Sequence, residues 1–399
     1  MSEITVGPVA HGGHCVARPD DGPVLFVRHA LPGEKVRVEI TEKKSGFWRA
    51  DAVEILEPSP ERTAPPCPYA RPGACGGCDF QHALPPAQRA LKAAVVREQL
   101  QRLAGVELPV EVAELPGGPL GWRSRVQFAV SDDGGLGFHR HRSSEVIPVD
   151  ECPIAHPAIN ALDLPGRKWE GLSAVEAVVT SGGDVAVLTR PTAAPTPRRG
   201  PAHRHHAPLR LYDGPEIVRE TVGGREWRID PAGFWQVHPA APDTLAATVR
   251  ELLDPQPRET AWDLYAGAGI FAAALAPHLY RVAAVESDRR SVAAARRSLR
   301  DLTNVRVVDA DVRRALADPR WRSVDLVVLD PPRSGAGRAV VEAIAQRGPR
   351  AVAYVACDPA AFARDVATFA AHGYRLETVR GFDAFPMTHH VECVGLLTR

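Results

Sequence analysis

No stretch of the 399 residues is long and apolar enough to span a bilayer, so a helical membrane protein is excluded. The opening Met1-Ser2-Glu3-Ile4 lacks the basic-then-apolar pattern of a secretory signal, and a cytoplasmic protein is the expectation. Net charge is also missing. The chain has 48 basic and 48 acidic side chains, so global charge makes no case for nucleic acid. Lysine is scarce beside arginine while Ala and Pro are abundant, a skew that fits genome composition rather than function. No internal repeat is evident, which sets aside solenoids and propellers.

What is present suits two or three domains, each with its own core. Residues 24–27, 35–40 and 51–56 read as short strands split by a Leu-Pro-Gly turn and closed by Pro58 and Pro60. Five or so such strands suit a small barrel of the OB type, a common oligonucleotide-binding shape. Residues 67–82 are Cys-rich, and a helical pattern follows over 86–103, with Leu91, Val95 and Leu103 roughly on one side. Strand-like runs alternate with turns over 110–222. Within them, residues 191–208 read as a Pro-, Arg- and His-rich surface insertion, whose His203, His205 and His206 are expected in a solvated loop. In a chain without a secretory signal, close-spaced cysteines point to a metal or to catalysis more than to disulfides.

From residue 260 onward β and α patterns alternate, predicting a doubly wound, Rossmann-like sheet. Asp263-Leu264-Tyr265-Ala266-Gly267-Ala268-Gly269 follows its first strand and opens a helix, where small residues and free amides admit a ligand. Glu286 ends the next strand, where a carboxylate accepts ribose hydroxyls. Asp311 lies past the third strand, placed for an adenine edge, though a helix N-cap accounts for it as well. This set fits S-adenosylmethionine better than NAD. Asp330-Pro331-Pro332-Arg333 ends the fourth strand, and Arg333 in place of an aromatic counts against amine methylation.

The run Ala353-Tyr354-Val355-Ala356-Cys357-Asp358-Pro359 is an apolar strand that stops at a cysteine, where open α/β sheets bind ligands. A buried, inert thiol is the commoner fate of a free cysteine. Beside a methyl sulfonium, however, a thiol and a carboxylate suggest one reaction. Thiolate addition at C6 of uracil makes C5 nucleophilic enough to take the methyl group. A base then removes the C5 proton so that the cysteine is eliminated. Glu392, in the run Phe385-Pro386-Met387-Thr388-His389-His390-Val391-Glu392, is the candidate base.

These motifs resemble those of the bacterial 5-methyluridine RNA methyltransferases, and the resemblance covers nearly the whole chain. It implies Cys357 as nucleophile and Glu392 as base, with Ala356 and Asp358 where the family usually has Ser and Asn. It implies cofactor contacts from Tyr265, Gly267, Glu286, Asp311 and Asp330. Gly233-Phe234-Trp235-Gln236-Val237-His238 resembles the segment entering the catalytic domain, implying a contact from Gln236, with His238 where Asn is frequent. Cys67, Cys75, Cys78 and Cys152 look like the family's [4Fe-4S] ligands, although four thiolates also suit zinc. Cys15 and Cys393 are expected to be structural.

The implied architecture is α/β: a TRAM-like, OB-like barrel at 1–60, a mixed α+β middle domain at 61–230 carrying the cluster and an RNA-binding surface, and a methyltransferase domain at 231–399. Arg123, Arg125, His139, Arg140 and Arg142 are candidate phosphate contacts. The target uridine has to come from a loop or be flipped out of a helix. The TRAM-like domain with the cluster leans towards 23S rRNA, with tRNA as the alternative. No obligate protein partner is evident. A folding factor with dispensable activity, or an iron–sulfur redox sensor on RNA, are readings of a different class. Binding alone needs neither Cys357 nor Glu392.

Overall fold

At the N-terminus, β1 (Ser2–Thr5), β2 (Val9–Ala10), β3 (His14–Ala17), β4 (Val24–Arg28), β5 (Lys35–Lys43) and β6 (Phe47–Glu57) form one sheet in the order β1-β5-β6-β4-β3-β2. Val27, Val36, Val38, Ala50 and Ala52 meet in its core. Register shifts between β5 and β6 supply the bends that let two long strands curve round so small a core. The fully buried carboxylate of Glu34 is satisfied by Arg62 (2.5 and 2.7 Å) and by the amides of Leu31 and Ser59. This bond set ties the sheet to the segment that follows it.

The computed structural model describes residues 2–19, 22–192, 207–319 and 321–399, so His203, His205 and His206 lie outside the described residues. The chain divides into two compact units. One comprises Met1–Pro65, Asp79–Pro116 and Ala240–Arg399; the other comprises Pro66–Cys78 and Gly117–Pro239.

In the first unit, α1 (Pro85–Ala104) starts with proline in its first turn and ends at Gly105, in the left-handed region. It is buried on two sides. Leu91 and Val95 join Val9, Leu31 and Phe80 of the barrel side, whereas Ala93, Val96 and Leu100 enter the core of the catalytic sheet. The strand β7 (Glu111–Glu114) then becomes the outermost strand of that sheet. Helix and strand both lie within residues 61–230 and belong to the first unit.

The second unit is built on β8 (Arg125–Val130), β9 (Leu136–His139), β10 (Val146–Pro148), β11 (Leu172–Val179), β12 (Val185–Pro191) and β13 (Arg210–Asp213), an antiparallel sheet in the order β10-β9-β8-β11-β12-β13. The short α2 (Pro157–Asn160) covers part of it, and β14 (Val218–Val222) and β15 (Arg225–Ile229) make a separate hairpin.

The C-terminal part begins with α3 (Ala241–Leu253). There follow β16 (Thr260–Leu264), α4 (Ile270–Leu275), β17 (Arg281–Glu286), α5 (Arg289–Ser298), β18 (Val305–Asp309), α6 (Val312–Leu316), β19 (Leu326–Leu329), α7 (Arg338–Arg347), β20 (Ala351–Ala356), α8 (Pro359–Ala370), β21 (Arg375–Asp383) and β22 (Glu392–Thr398). The sheet order is β18-β17-β16-β19-β20-β22-β21-β7. Strands β16 to β20 are parallel, and β19 and β20 are buried along their whole length, as central parallel strands must be. The antiparallel β22 slots between β20 and β21. Strand order reverses between β16 and β19, and an open sheet of this kind binds its ligand at such a point.

Candidate active site

The loop after β16 is shaped by its backbone. Tyr265, Gly267 and Gly269 all have positive φ, and a side chain at Gly269 would strike Leu299 at 2.5 Å. At Gly267 the space is open, so the backbone lies bare to a ligand. Glu286, at the carboxyl end of β17, accepts from Gly267 N (2.8 Å), Ser287 N (2.6 Å) and Asp288 N (2.7 Å). It therefore shapes the loop as well as offering carboxylate lone pairs. Asp311 caps α6 by accepting from Arg314 N at 3.1 Å, so the capping reading holds for it.

Two buried carboxyl groups flank the switch point. Asp263 is fully buried. Its Oδ2 accepts from Ala272 N (2.8 Å) while Oδ1 has no partner, and burial, then Asp330 and Glu286, push it up to about 8. Asp330 ends β19, and burial pushes it up to about 7. The open backbone cradle at Gly267 and the carboxylate of Glu286 beside it fit a hydroxyl-bearing ligand such as S-adenosylmethionine.

Cys357 follows β20 directly, half-buried. Asp358 caps α8 by accepting from Ala361 N (2.8 Å), and Pro359 occupies the first turn, so the strand is forced to end at the thiol. Glu392 opens β22 and is buried. Ala356, the last residue of β20, pairs with Cys393 of β22, so Cys357 and Glu392 each adjoin this last matched pair. Burial, with Glu392 and Asp330 close by, pushes the thiol up to about 12, and Arg333 acts against this. Burial, then Asp330, holds the Glu392 carboxyl well above its usual range, again opposed by Arg333.

Sequence reasoning passed over the groups that hold these loops. The carboxylate of Asp79, immediately after Cys78, accepts from His389 N (3.1 Å) and Nδ1 (2.6 Å), with Arg28 at 3.6 Å. Burial acts to raise Asp79, but His389 and Arg28 outweigh it and hold the carboxylate far below its usual range. Lys92 donates to Asp383 (2.5 Å) and to Phe385 O (3.0 Å), and Gln88 accepts from Met387 N (2.9 Å). His390, packed on His389, meets Arg333 at 3.4 Å. The doubled histidine, a strand-end Arg333 and a buried lysine were the available signals.

In the other unit, Gln236 is half-buried, and His238 stacks on Trp122. Arg125 is corrected as a phosphate contact: it is buried and donates to the carbonyls of Pro231 and Gly233. Arg123 donates to Arg125 O and Arg140 pairs with Glu145. Cys67, Cys75, Cys78 and Cys152 are half-buried thiols of this one unit, and burial first, with Cys67 adding to it, opposes the ionisation of Cys152. Among the described residues, however, no group of three or more His, Cys, Asp or Glu side chains is arranged to hold a metal ion. Nor is any helix among them long and apolar enough to cross a membrane.

A parallel sheet with a glycine-shaped switch-point loop, a thiol and a buried carboxyl defines a Rossmann-like group-transfer domain. Residues 249–399 match the family model described as tRNA (Uracil-5-)-methyltransferase, and residues 2–53 match the TRAM domain. A protein of Streptomyces avermitilis, named only as an uncharacterized RNA methyltransferase, is 47% identical over 99% of this chain and 97% of its own. The 23S rRNA (uracil(1939)-C(5))-methyltransferase RlmD of Alkalilimnicola ehrlichii is 34% identical over 100% of this chain and 96% of its own. The Pyrococcus abyssi tRNA (uracil-54, C5)-methyltransferase, solved with S-adenosyl-L-homocysteine, shares the fold. Its TM-score is 0.74 over 99% of each chain, at 24% identity. The chain belongs to the uracil-5 RNA methyltransferase family, with an N-terminal TRAM domain. By class it is an S-adenosylmethionine-dependent RNA methyltransferase.

Proposed function

We propose that this enzyme methylates C5 of a uridine in 23S rRNA through a covalent adduct between Cys357 and C6. The observation that carries the reading is the pairing of a half-buried thiol with a buried carboxyl at one sheet end, beside the switch-point loop. S-adenosylmethionine, when bound, supplies the electrophilic methyl group. Gly267, Tyr265, Glu286, Asp311 and Asp330 hold it in this account. Cys357 adds to C6 as thiolate, and Arg333 favours that charge against Asp330 and Glu392. Glu392, once ionised, takes the C5 proton, and the sulfur–carbon bond then breaks. A buried carboxyl with a raised pKa is a stronger base than an exposed one, which suits it to a carbon acid.

RNA is received on aromatic and cationic surface. On the barrel, Arg49 lies over Phe47 (4.9 Å) and Lys43 over Trp48 (4.5 Å), while Phe234, next to Trp235, is 69% exposed. Such groups stack bases and neutralise phosphates without reading sequence. The choice of 23S rRNA over tRNA rests on the full-length similarity to RlmD. An enzyme acting on ribosomal RNA works in the cytoplasm.

Cys67, Cys75, Cys78 and Cys152 are proposed as ligands of a [4Fe-4S] cluster that orders the second unit, with structural zinc as the competing occupant. Quantifying iron, sulfide and zinc in the anaerobically purified protein and in Cys152→Ser decides between them.

The test of the function is nucleoside mass spectrometry after incubation with S-adenosylmethionine and unmodified 23S rRNA or tRNA transcripts. Formation of 5-methyluridine in 23S rRNA alone supports the reading. Formation in tRNA alone replaces the substrate, and formation in neither overturns it.

A further inference from the structure

The barrel touches both catalytic loops. In the turn between β2 and β3, His11 Nε2 lies 3.2 Å from Asp358 Oδ2, on the residue that follows Cys357. The other oxygen of Asp358 is already committed to capping α8. Two residues along the turn, the backbone of Gly13 is pressed against the other loop. A β-carbon there would stand 2.7 Å from His389 Cβ and 3.3 Å from Asp79 Cβ, and its φ of +78° disfavours any side chain. From β4, Arg28 reaches Asp79, which holds His389 by two bonds. His389 packs on His390, and His390 meets Arg333.

We propose that the turn His11-Gly12-Gly13 positions catalysis, fixing the loop that carries Cys357 against the loop that carries Glu392. On this account the barrel is part of the catalytic frame as well as a surface for RNA. The chemistry demands it. The thiol has to add to C6 while the carboxyl reaches the proton on C5 of the same ring, so the two loops need a fixed separation. A shift of about 1 Å in such an arrangement costs on the order of 100-fold in rate. The β20–β22 ladder sets their separation at the sheet, and the turn sets it beyond the sheet edge. His11, Gly13 and Arg28 are thus positioning residues. The proposal rests on reading Cys357 and Glu392 as nucleophile and base.

Three full-length variants test it: Gly13→Ala, His11→Ala and His11→Gln, whose amide can donate to Asp358 as the imidazole does. Two quantities are read. One is kcat and KM on the 23S rRNA transcript. The other is the rate of Cys357 alkylation by iodoacetamide without RNA, followed by peptide mass spectrometry. Gly13→Ala is expected to lower kcat by roughly 100-fold with KM changed less than about twofold. His11→Ala is expected to lower kcat and change the alkylation rate, and His11→Gln to restore both. Raised KM with wild-type kcat and alkylation would overturn the proposal and leave the turn as an RNA contact. If Gly13→Ala does not fold, the His11 pair decides, because His11 is partly exposed. If the wild type makes no 5-methyluridine, the functional reading fails, and the alkylation rates still test the clamp.

Discussion

Cys357 and Glu392 each adjoin the last matched pair of two neighbouring antiparallel strands, Ala356 with Cys393. The backbone ladder therefore brings the residues that carry thiol and carboxyl to one end of the sheet. A nucleophile and a base that act on adjacent atoms of one ring need such a scaffold.

Glu392→Gln keeps the shape of the protonated carboxyl and removes the base. Turnover is expected to fall by about 10²- to 10⁴-fold. Because the lost step follows methyl transfer, the methylated adduct should accumulate as a protein–RNA complex that survives denaturation. Loss of turnover without that complex would place Glu392 before methyl transfer.

Arg333 opposes the negative neighbours of Cys357. Arg333→Ala should raise the thiol further and slow its alkylation at pH 8 by roughly tenfold, while Arg333→Lys keeps most of the rate. The activity profile should move to higher pH in the same order. Equal alkylation rates in all three proteins would remove Arg333 from thiol activation.

Asp263 makes the stability of the catalytic domain pH-dependent. Its folded pKa of about 8 stands above the unfolded value near 4, so between these limits the native state keeps a proton that the unfolded chain has lost. Stability should therefore fall as pH rises from about 4 to about 8. Asp263→Asn, which mimics the protonated acid, should flatten that slope in urea titrations at several pH values. An unchanged slope would assign it to other groups, Asp330 among them.

The buried Lys92–Asp383 pair holds the start of the loop that leads to Glu392. Lys92→Met leaves Asp383 buried and unpaired and should cost about 3–5 kcal/mol of stability. Adding Asp383→Leu should recover much of that loss. Denaturant unfolding of the two variants measures both effects, and a double variant no better than the single would make Lys92 a packing residue.

Local features made much of this legible in the sequence. The all-apolar run before Cys357, the Asp-Pro stop and the glycine loop are signals contained within a few residues, and each structural element they imply is present. What escaped depends on partners far along the chain. Nothing local tells that Glu111–Glu114 extends a sheet whose neighbouring strand begins at Arg375. Arg125 looks like any other strand arginine until the carbonyls of Pro231 and Gly233 arrive from a hundred residues away. Asp79 sits in the Cys-rich stretch, yet its work is on His389.

Trapping probes the covalent step at Cys357. In RNA carrying 5-fluorouridine at the target, the base meets fluorine where a proton should leave, so the adduct cannot resolve. Wild-type enzyme with S-adenosylmethionine is expected to form a denaturation-resistant protein–RNA complex, joined at Cys357 and absent in Cys357→Ala. A complex that persists in Cys357→Ala, or ordinary methylation by that variant, would contradict it.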